Sequence, residues 1–223
     1  MKVFILAAGR GQRLKPITDT TPKPLVEVQG KPLLLHHLLA LEKAGFQDIV
    51  VNISWLGDQI IDFLNTETPK GLTVSISDER QQALETGGGM LKALKLLGDQ
   101  PFLSINADVF TDMDYRQFAS DSLNNDLLRI ALVPNPTHNS EGDFSLDQDR
   151  LVSVNPTQKS YTYSGIGIFS PALFESVRER HNKAFRLAPL IHQAVDRQQA
   201  GGQIYPGQWT DVGSLQRLAE LNR

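Results

Sequence analysis

Apolar residues along the first half of the chain come as short unbroken runs, at Lys2 to Ala8, Asp48 to Ile53, Leu72 to Ser77 and Pro101 to Ile105. Runs of that length without polar alternation predict strands buried on both faces. Between the first two, Leu34, Leu35, Leu38, Leu39 and Leu41 recur at helical spacing within Pro32 to Ala44, and Gly45 stands where a helix C-terminus favours glycine. Leu56 to Asn65 and Gly88 to Leu97 repeat the plan. Strand and helix in alternation predict βαβ units, hence a mostly parallel sheet with helices on both faces.

Past Val109 the rhythm changes. A helix is expected at Tyr115 to Leu123, then three β-rich runs, Leu127 to Val133, Leu151 to Val154 and Tyr161 to Phe169, without long helices between them. Such spacing predicts mixed or antiparallel sheet. Helices return at Pro171 to Arg180, at Leu187 to Gln199 and from Ser214. With no repeat, no low-complexity tract and no linker, both layers are expected to share one core, making residues 1–223 a single domain.

Composition narrows what such a fold can do. The 223 residues include no cysteine, which excludes disulfides, thiolate metal sites and cysteine nucleophiles. Lys and Arg number 22 against 25 Asp and Glu, a formal charge of -3, so a basic stripe for nucleic acid is not expected. The apolar run at Val3 to Ala8 is too short to cross a bilayer, and Arg10, Arg13 and Lys15 follow at once. Neither a signal peptide nor a membrane contact is expected, and the cytoplasm is the expected compartment. Every apolar stripe is needed for the core, which leaves a monomer or a small homo-oligomer open.

Directly after the first strand, LAAGRGQR (Leu6–Arg13) places Gly9 and Gly11 where backbone amides can approach an anion without a Cβ in the way. A dinucleotide fingerprint would need a third glycine and an immediate helix, whereas Leu14, Lys15 and Pro16 stand there. No helix is expected before Lys31, leaving a loop of about twenty residues, a length that is uncommon unless functional. That loop carries Arg10, Arg13, Lys15 and Lys23 against the single acid Asp19 before Pro24, a local sign reversal suited to a polyanion. Lys23 lies between Pro22 and Pro24, which stiffen the backbone presenting its ammonium. The plainer reading, turns with solvated charges, would suffice for one Gly-x-Gly but not for glycines, Arg13 and a proline-held lysine together.

Two carboxylates stand out. Asp108 in NAD (Asn106–Asp108) lies just past a strand's carboxyl end, where ligands of open α/β sheets bind, and Asp211 follows another short apolar run in QWTDVG (Gln208–Gly213). A lone acid after a strand is more often a cap or turn former, the role expected of Asp112 and Asp114. His36 and His37 splay to different faces of a helix, and His138, His181 and His192 are isolated, so no imidazole cage competes. In LETGGG (Leu84–Gly89) three consecutive glycines imply that something approaches the backbone closely, although Thr86 as a helix N-cap is the bland account.

LAAGRGQR followed by TPKPL (Thr21–Leu25) resembles the sugar-1-phosphate nucleotidyltransferase family, and the resemblance runs from Met1 through QWTDVG. It implies a Rossmann-like three-layer α/β sandwich, with a mostly parallel central sheet and a smaller β-rich sugar-binding portion. It also implies an activity, joining a sugar 1-phosphate to a nucleoside monophosphate and releasing pyrophosphate. By the same resemblance Ala8, Gly9 and Gly11 wrap the triphosphate, Arg13 and Lys23 contact phosphates, and Asp108 and Asp211 hold Mg²⁺, an ion that favours carboxylates, waters and substrate phosphates. Glu79, Glu85 and Gly88 are implied at the base, and Asn106, Gly142, Tyr163 and Gly165 at the sugar. The short chain without hexapeptide repeats, together with LETGGG and WTDVG, points to a member that uses UTP. Guanylyl or cytidylyl transfer, and a nucleotide-sugar sensor without chemistry, are the alternatives.

Overall fold

The computed structural model describes residues 1–120, 123–155, 157–181 and 183–223. In β1 (Val3–Leu6), Val3 and Ile5 bury into one layer and Phe4 into the opposite one, as a strand covered on both faces requires. A one-turn helix α1 (Ile17–Thr20) and a small hairpin of β2 (Glu27–Val28) and β3 (Lys31–Pro32) precede the expected alternation. This runs α2 (Leu33–Lys43), β4 (Asp48–Ile53), α3 (Gly57–Glu67), β5 (Thr73–Asp78), α4 (Glu85–Leu97) and β6 (Phe102–Asn106). The remainder comprises β7 (Val109–Thr111), α5 (Tyr115–Phe118), β8 (Leu128–Val133), β9 (Phe144–Asp147), β10 (Arg150–Val152), β11 (Ser160–Phe169), α6 (Ala188–Asp196), β12 (Ala200–Ile204), β13 (Trp209–Asp211) and α7 (Leu215–Leu221).

One nine-stranded sheet runs in the order β5-β4-β1-β6-β11-β8-β12-β10-β9. The first four strands are parallel; beyond β6 only β8 and β12 pair that way. The sheet is therefore mixed, a correction to the mostly parallel sheet expected. Its cause lies in the connections: from β8 to β11 the strands return without an α-helix between them, and a parallel pair needs such a crossover. Because β11 also pairs with β9, the strands β11-β8-β12-β10-β9 close into a small barrel-like sub-sheet beside the open parallel half.

One apolar layer, with Leu34, Leu38, Leu41, Ile60 and Tyr115, packs under α2 and α3. The other, with Met90, Leu97, Phe174, Leu190 and Ile191, packs under α4 and α6. A third cluster joins Leu14, Val26, Val28 and Leu33 to Phe110, Val212 and Leu218. It ties the long loop after β1 to the C-terminal helix, so segments some two hundred positions apart meet in one cluster.

Three further expectations change. The loop after β1 is not helix-free, since α1 and two 3-10 turns, Gln12–Leu14 and Lys23–Leu25, lie within it. Pro171–Arg180 is a 3-10 run rather than an α-helix. The helix expected at Tyr115 to Leu123 ends at Phe118, with residues 121–122 outside the described residues; Asp114 caps it, accepting hydrogen bonds from the amides of Arg116 and Gln117 at 2.9 and 3.0 Å.

Candidate active site

The carboxyl ends of β1, β4, β5 and β6 open onto one cleft of about 790 Å³. Ala8, Gly9, Gly11, Arg13, Lys23, Asn106 and Asp108 line it together with Glu79 and Glu85. The two glycines differ in their reason for being there. A Cβ on Gly9 would meet nothing within 4 Å, so that position faces open space, whereas one on Gly11 would press on Thr18 and Lys23 at 3.0 and 3.1 Å. Gly11 also has φ +66°, a left-handed conformation that glycine adopts without steric cost.

Lys23 opens the 3-10 turn Lys23–Leu25, preceded by extended Pro22, with the amides of Leu25 and Val26 bonded to Pro22 O and Lys23 O at 2.8 and 3.1 Å. The backbone is thus held on both sides and the residue is only 9% exposed. Its ammonium pairs directly with Oδ2 of Asp108. Lys23 is nearly buried and Asp108 only partly exposed, so the pair is less screened than an ion pair on the open surface.

A buried strut stands behind the glycine loop. Asn52, at the end of β4, accepts from the amides of Ala7 and Ala8 at 2.6 and 3.3 Å and donates to Oε1 of Glu79 at 2.7 Å. Glu79 Oε2 in turn accepts from the amide of Leu84 at 3.1 Å. Desolvation raises the Glu79 carboxyl above the usual carboxylate range, against the lowering effect of these hydrogen bonds. Glu79 is therefore spent on bracing Asn52 and Leu84. Glu85 has φ +56°, uncommon for a side-chain-bearing residue, and its carboxylate lies 3.5 Å from Arg186 Nε.

The three glycines after Glu85 admit close neighbours, and those neighbours belong to the protein. A Cβ on Gly87 would sit 2.5 Å from the Phe185 ring, one on Gly88 2.5 Å from Lys183 O, and one on Gly89 2.8 Å from Glu79 Oε1. Gly88 donates its amide to Phe185 O at 3.1 Å and lies outside the cleft lining, unlike Glu85 and Thr86.

A second cavity of about 240 Å³ adjoins the first, sharing Asn106 and Asp108 with it. His138, Asn139, Thr162, Tyr163, Gly165, Trp209 and Asp211 are among its other lining residues. Gly165 has φ +81°, and a Cβ there would stand 2.6 Å from Asn106 Nδ2. Gly142 is not in the lining; its turn, at φ +71°, presses against Asn135 and precedes Asp143, whose Oδ2 accepts from the Tyr163 amide at 2.8 Å. Trp209 donates from Nε1 to Ser164 O at 2.9 Å, fastening β13 to β11.

Asp108 and Asp211, distant in sequence, are brought together by β7 and β13: Asp211 pairs with Val109, and the Val212 amide donates to Asp108 O at 2.7 Å. Both carboxylates open on the second cavity. Among the described residues no three His, Asp or Glu side chains converge as a protein cage for an ion. Two carboxylates on one cavity are hard oxygen donors, the set that suits Mg²⁺ when waters and phosphates supply the rest.

Sequence reasoning missed four groups here. Asn52 lies at the carboxyl end of β4 and Trp55 just past it, and the rule that flagged Asp108, a position at a strand's carboxyl end, could have flagged both. Trp55 stacks under the guanidinium of Arg10 at 4.3 Å and donates to Thr18 O at 3.0 Å. His138 and Arg217 gave no local signal; both meet Asp211 Oδ1, at 3.1 and 2.9 Å.

This chain belongs to the nucleotidyl transferase family: the family model of that description matches residues 2–223. It is 45% identical over 226 residues, 99% of this chain and 96% of the relative, to the N-acetylmuramate alpha-1-phosphate uridylyltransferase of Neisseria meningitidis serogroup B. The enzyme of the same description from Caulobacter vibrioides is 34% identical over 237 residues, 97% of this chain and 96% of the relative. The fold matches that of UDP-glucose pyrophosphorylase from Acinetobacter baumanii with a TM-score of 0.81 at 16% identity, covering 99% of this chain and 91% of that one.

Proposed function

We propose that this protein is a sugar-1-phosphate uridylyltransferase that joins UTP and N-acetylmuramate α-1-phosphate into UDP-N-acetylmuramate, with release of pyrophosphate, in the recycling of cell-wall sugar. The observation that carries the chemistry is the convergence of Arg13, Lys23 and Asp108 with the glycine loop in one cleft. The near full-length likeness to two uridylyltransferases supports the choice of substrates. Among the described residues no helix is long and apolar enough to cross a membrane. We place the enzyme in the cytoplasm with its soluble substrates, residues 1–223 acting as one catalytic domain.

In this reading the triphosphate lies along Ala8, Gly9 and Gly11, the base toward Glu85, and the sugar in the cavity lined by Asn106, Tyr163 and Gly165. An oxygen of the sugar phosphate attacks the α-phosphorus; that P–O bond forms as the bond to the α–β bridging oxygen breaks, and pyrophosphate leaves with the electron pair. Arg13 and Lys23 face the charge that builds on the phosphate oxygens, so no nucleophilic side chain is required. Asp108 and Asp211 would hold Mg²⁺, which supplies further neutralisation of the phosphates. Lys23 and Asp108 hold each other until substrate arrives, so both cross from an internal pair to ligand contacts with little reorganisation.

The test is pyrophosphate release from UTP with N-acetylmuramate 1-phosphate, against GTP and CTP and against mannose and glucose 1-phosphates. UTP with the muramate derivative is expected to give the highest kcat/KM. A higher value for a guanylyl or cytidylyl pair would replace this assignment, and nucleotide-sugar binding without any pyrophosphate release would make the protein a sensor.

A further inference from the structure

Each of the two carboxylates at the shared cavity pairs with a permanently charged side chain, and Asp211 meets His138 as well. Lys23 takes Oδ2 of Asp108, and Arg217, from α7, takes Oδ1 of Asp211 at 2.9 Å. The first partner lines the cleft, whereas the second lies behind it, outside both linings. Arg217 Nη1 also lies 2.6 and 2.7 Å from the ring nitrogens of His138. Its Nη2 occupies the space where a Cβ on residue 213 would collide with it, so glycine at 213 makes room for the guanidinium. The same vacant position is 3.0 Å from Asp211 Oδ2 and 3.2 Å from Arg13 Nη2. Arg217 Nε is buried without a hydrogen-bond partner. Burying a donor unpaired costs roughly 1–3 kcal/mol, a penalty that a bolt between helix and strand would not need to carry.

We propose that Arg217 is a positioning residue of the transfer reaction: by holding Oδ1 of Asp211 it fixes that carboxylate with Oδ2 toward Gly213 and the cleft, ready to take a divalent cation. The proposal rests on the reading of Asp108 and Asp211 as cation ligands. Two carboxylates facing one cavity repel each other, and Lys23 and Arg217 together match their charge, so both side chains stay in place before any cation arrives. Arginine suits the task because its planar fork can grip Asp211 and His138 through Nη1 while Nη2 fills the space over Gly213; a lysine ammonium reaches one of these at a time.

The experiment is Mn²⁺ binding followed by electron paramagnetic resonance, with and without a non-hydrolysable UTP analogue, on wild type, Arg217→Gln, Arg217→Lys and Asp211→Asn, with thermal melts of each. Arg217→Gln is expected to melt as a folded protein, to weaken Mn²⁺ binding by about 10–100-fold, the usual reach of residues that orient a metal's ligands, and to lower kcat more than it raises KM for UTP. Arg217→Lys should recover part of the affinity. Should Arg217→Gln fail to fold, Arg217→Lys decides, since it keeps a cation beside Asp211 while giving up the fork. If Asp211→Asn loses Mn²⁺ while folded Arg217→Gln, or Arg217→Lys in its place, stays within twofold of wild type, Arg217 is a structural bolt and the proposal fails. If Asp211→Asn itself keeps wild-type affinity, the reading of Asp211 as a ligand fails first and takes the proposal with it.

Discussion

The larger cleft and the smaller cavity share Asn106 and Asp108 but are built in opposite ways. The cleft takes most of its lining from segments that each follow a parallel strand, so the chain delivers loop after loop to the same sheet edge. The cavity is assembled by antiparallel register: Tyr163 stands where it does because Thr162 pairs with Val133, and Asp211 because Trp209 pairs with Thr111. The first kind of site tolerates drift in distant strands, while the second inherits every shift of β11 or β13. Damage to the cleft should therefore appear in turnover or in the KM for UTP, and damage to the sugar-facing wall of the cavity in the affinity for the sugar phosphate.

The largest expected effect sharpens that contrast. Lys23→Ala or Asp108→Ala should lower kcat by about 10²–10³, the usual loss on removing one preorganised electrostatic contact, with the fold retained. Turnover of purified, folded variants measures this, and wild-type kcat in both would break the contrast at its stronger side.

Next comes stability beneath Asp108. His37 is fully buried on α2, with Nδ1 2.8 Å from the Tyr115 hydroxyl, and burial lowers its pKa from 6.5 to about 4 despite the opposing pull of Asp108. The unfolded chain therefore takes up this proton first as the pH falls. Stability from a neutral His37 is complete above pH 6.5 and is lost between 6.5 and about 4. At roughly 1.4 kcal/mol for each pH unit the loss amounts to about 3 kcal/mol. Denaturant titrations at pH 7 and pH 4 should show wild type losing that much more than His37→Gln; equal losses would remove His37 from the acid response of the cleft's floor.

What could be read from the residues follows the same divide. Gly9, Gly11, Arg13 and Lys23 were legible because backbone freedom, charge reversal and proline stiffening are local properties that need no partner to be recognised. Asp108 was visible through its place after a strand. Asp211 was not, except by family resemblance, because its meeting with Asp108 depends on the pairing of β7 with β13, two three-residue strands too short to leave a periodic pattern. Arg217 and His138 carried no signal at all. The triple glycine shows the converse: close approach is legible in the sequence, whereas Lys183, Phe185 and Glu79, the protein groups that crowd Gly87, Gly88 and Gly89, are not. The mixed sheet escaped for a similar reason, since apolar runs predict strands but not their direction.

A smaller effect tests the cavity side. Gly165→Ala forces a side chain into a left-handed conformation, which costs roughly 1–2 kcal/mol, and drives its Cβ toward Asn106 Nδ2. The expected result is a KM for the sugar phosphate raised about tenfold, matching roughly 1.4 kcal/mol, with KM for UTP little changed. A fall in kcat with both KM values intact would show that the cavity does not behave as a separate affinity element.

The smallest expected effect separates the strut from the pocket it supports. Glu79 has its carboxyl raised by desolvation, so the folded state binds this proton more tightly than the unfolded chain does. Its contribution is greatest below the ordinary value of 4.5 and declines as the pH climbs above it, the reverse of the His37 effect. Glu79→Gln cannot titrate and should remove that decline, while giving up one of two acceptor oxygens and costing about 1 kcal/mol, the net worth of one hydrogen bond. Because Asn52 links Glu79 to the amides of Ala7 and Ala8, the variant should also raise KM for UTP a few-fold and leave KM for the sugar phosphate alone. If the slope of stability against pH above 4.5 matches wild type, Glu79 is not the titrating group; if both KM values rise together, the glycine loop and the sugar cavity are coupled through the Asn52 strut.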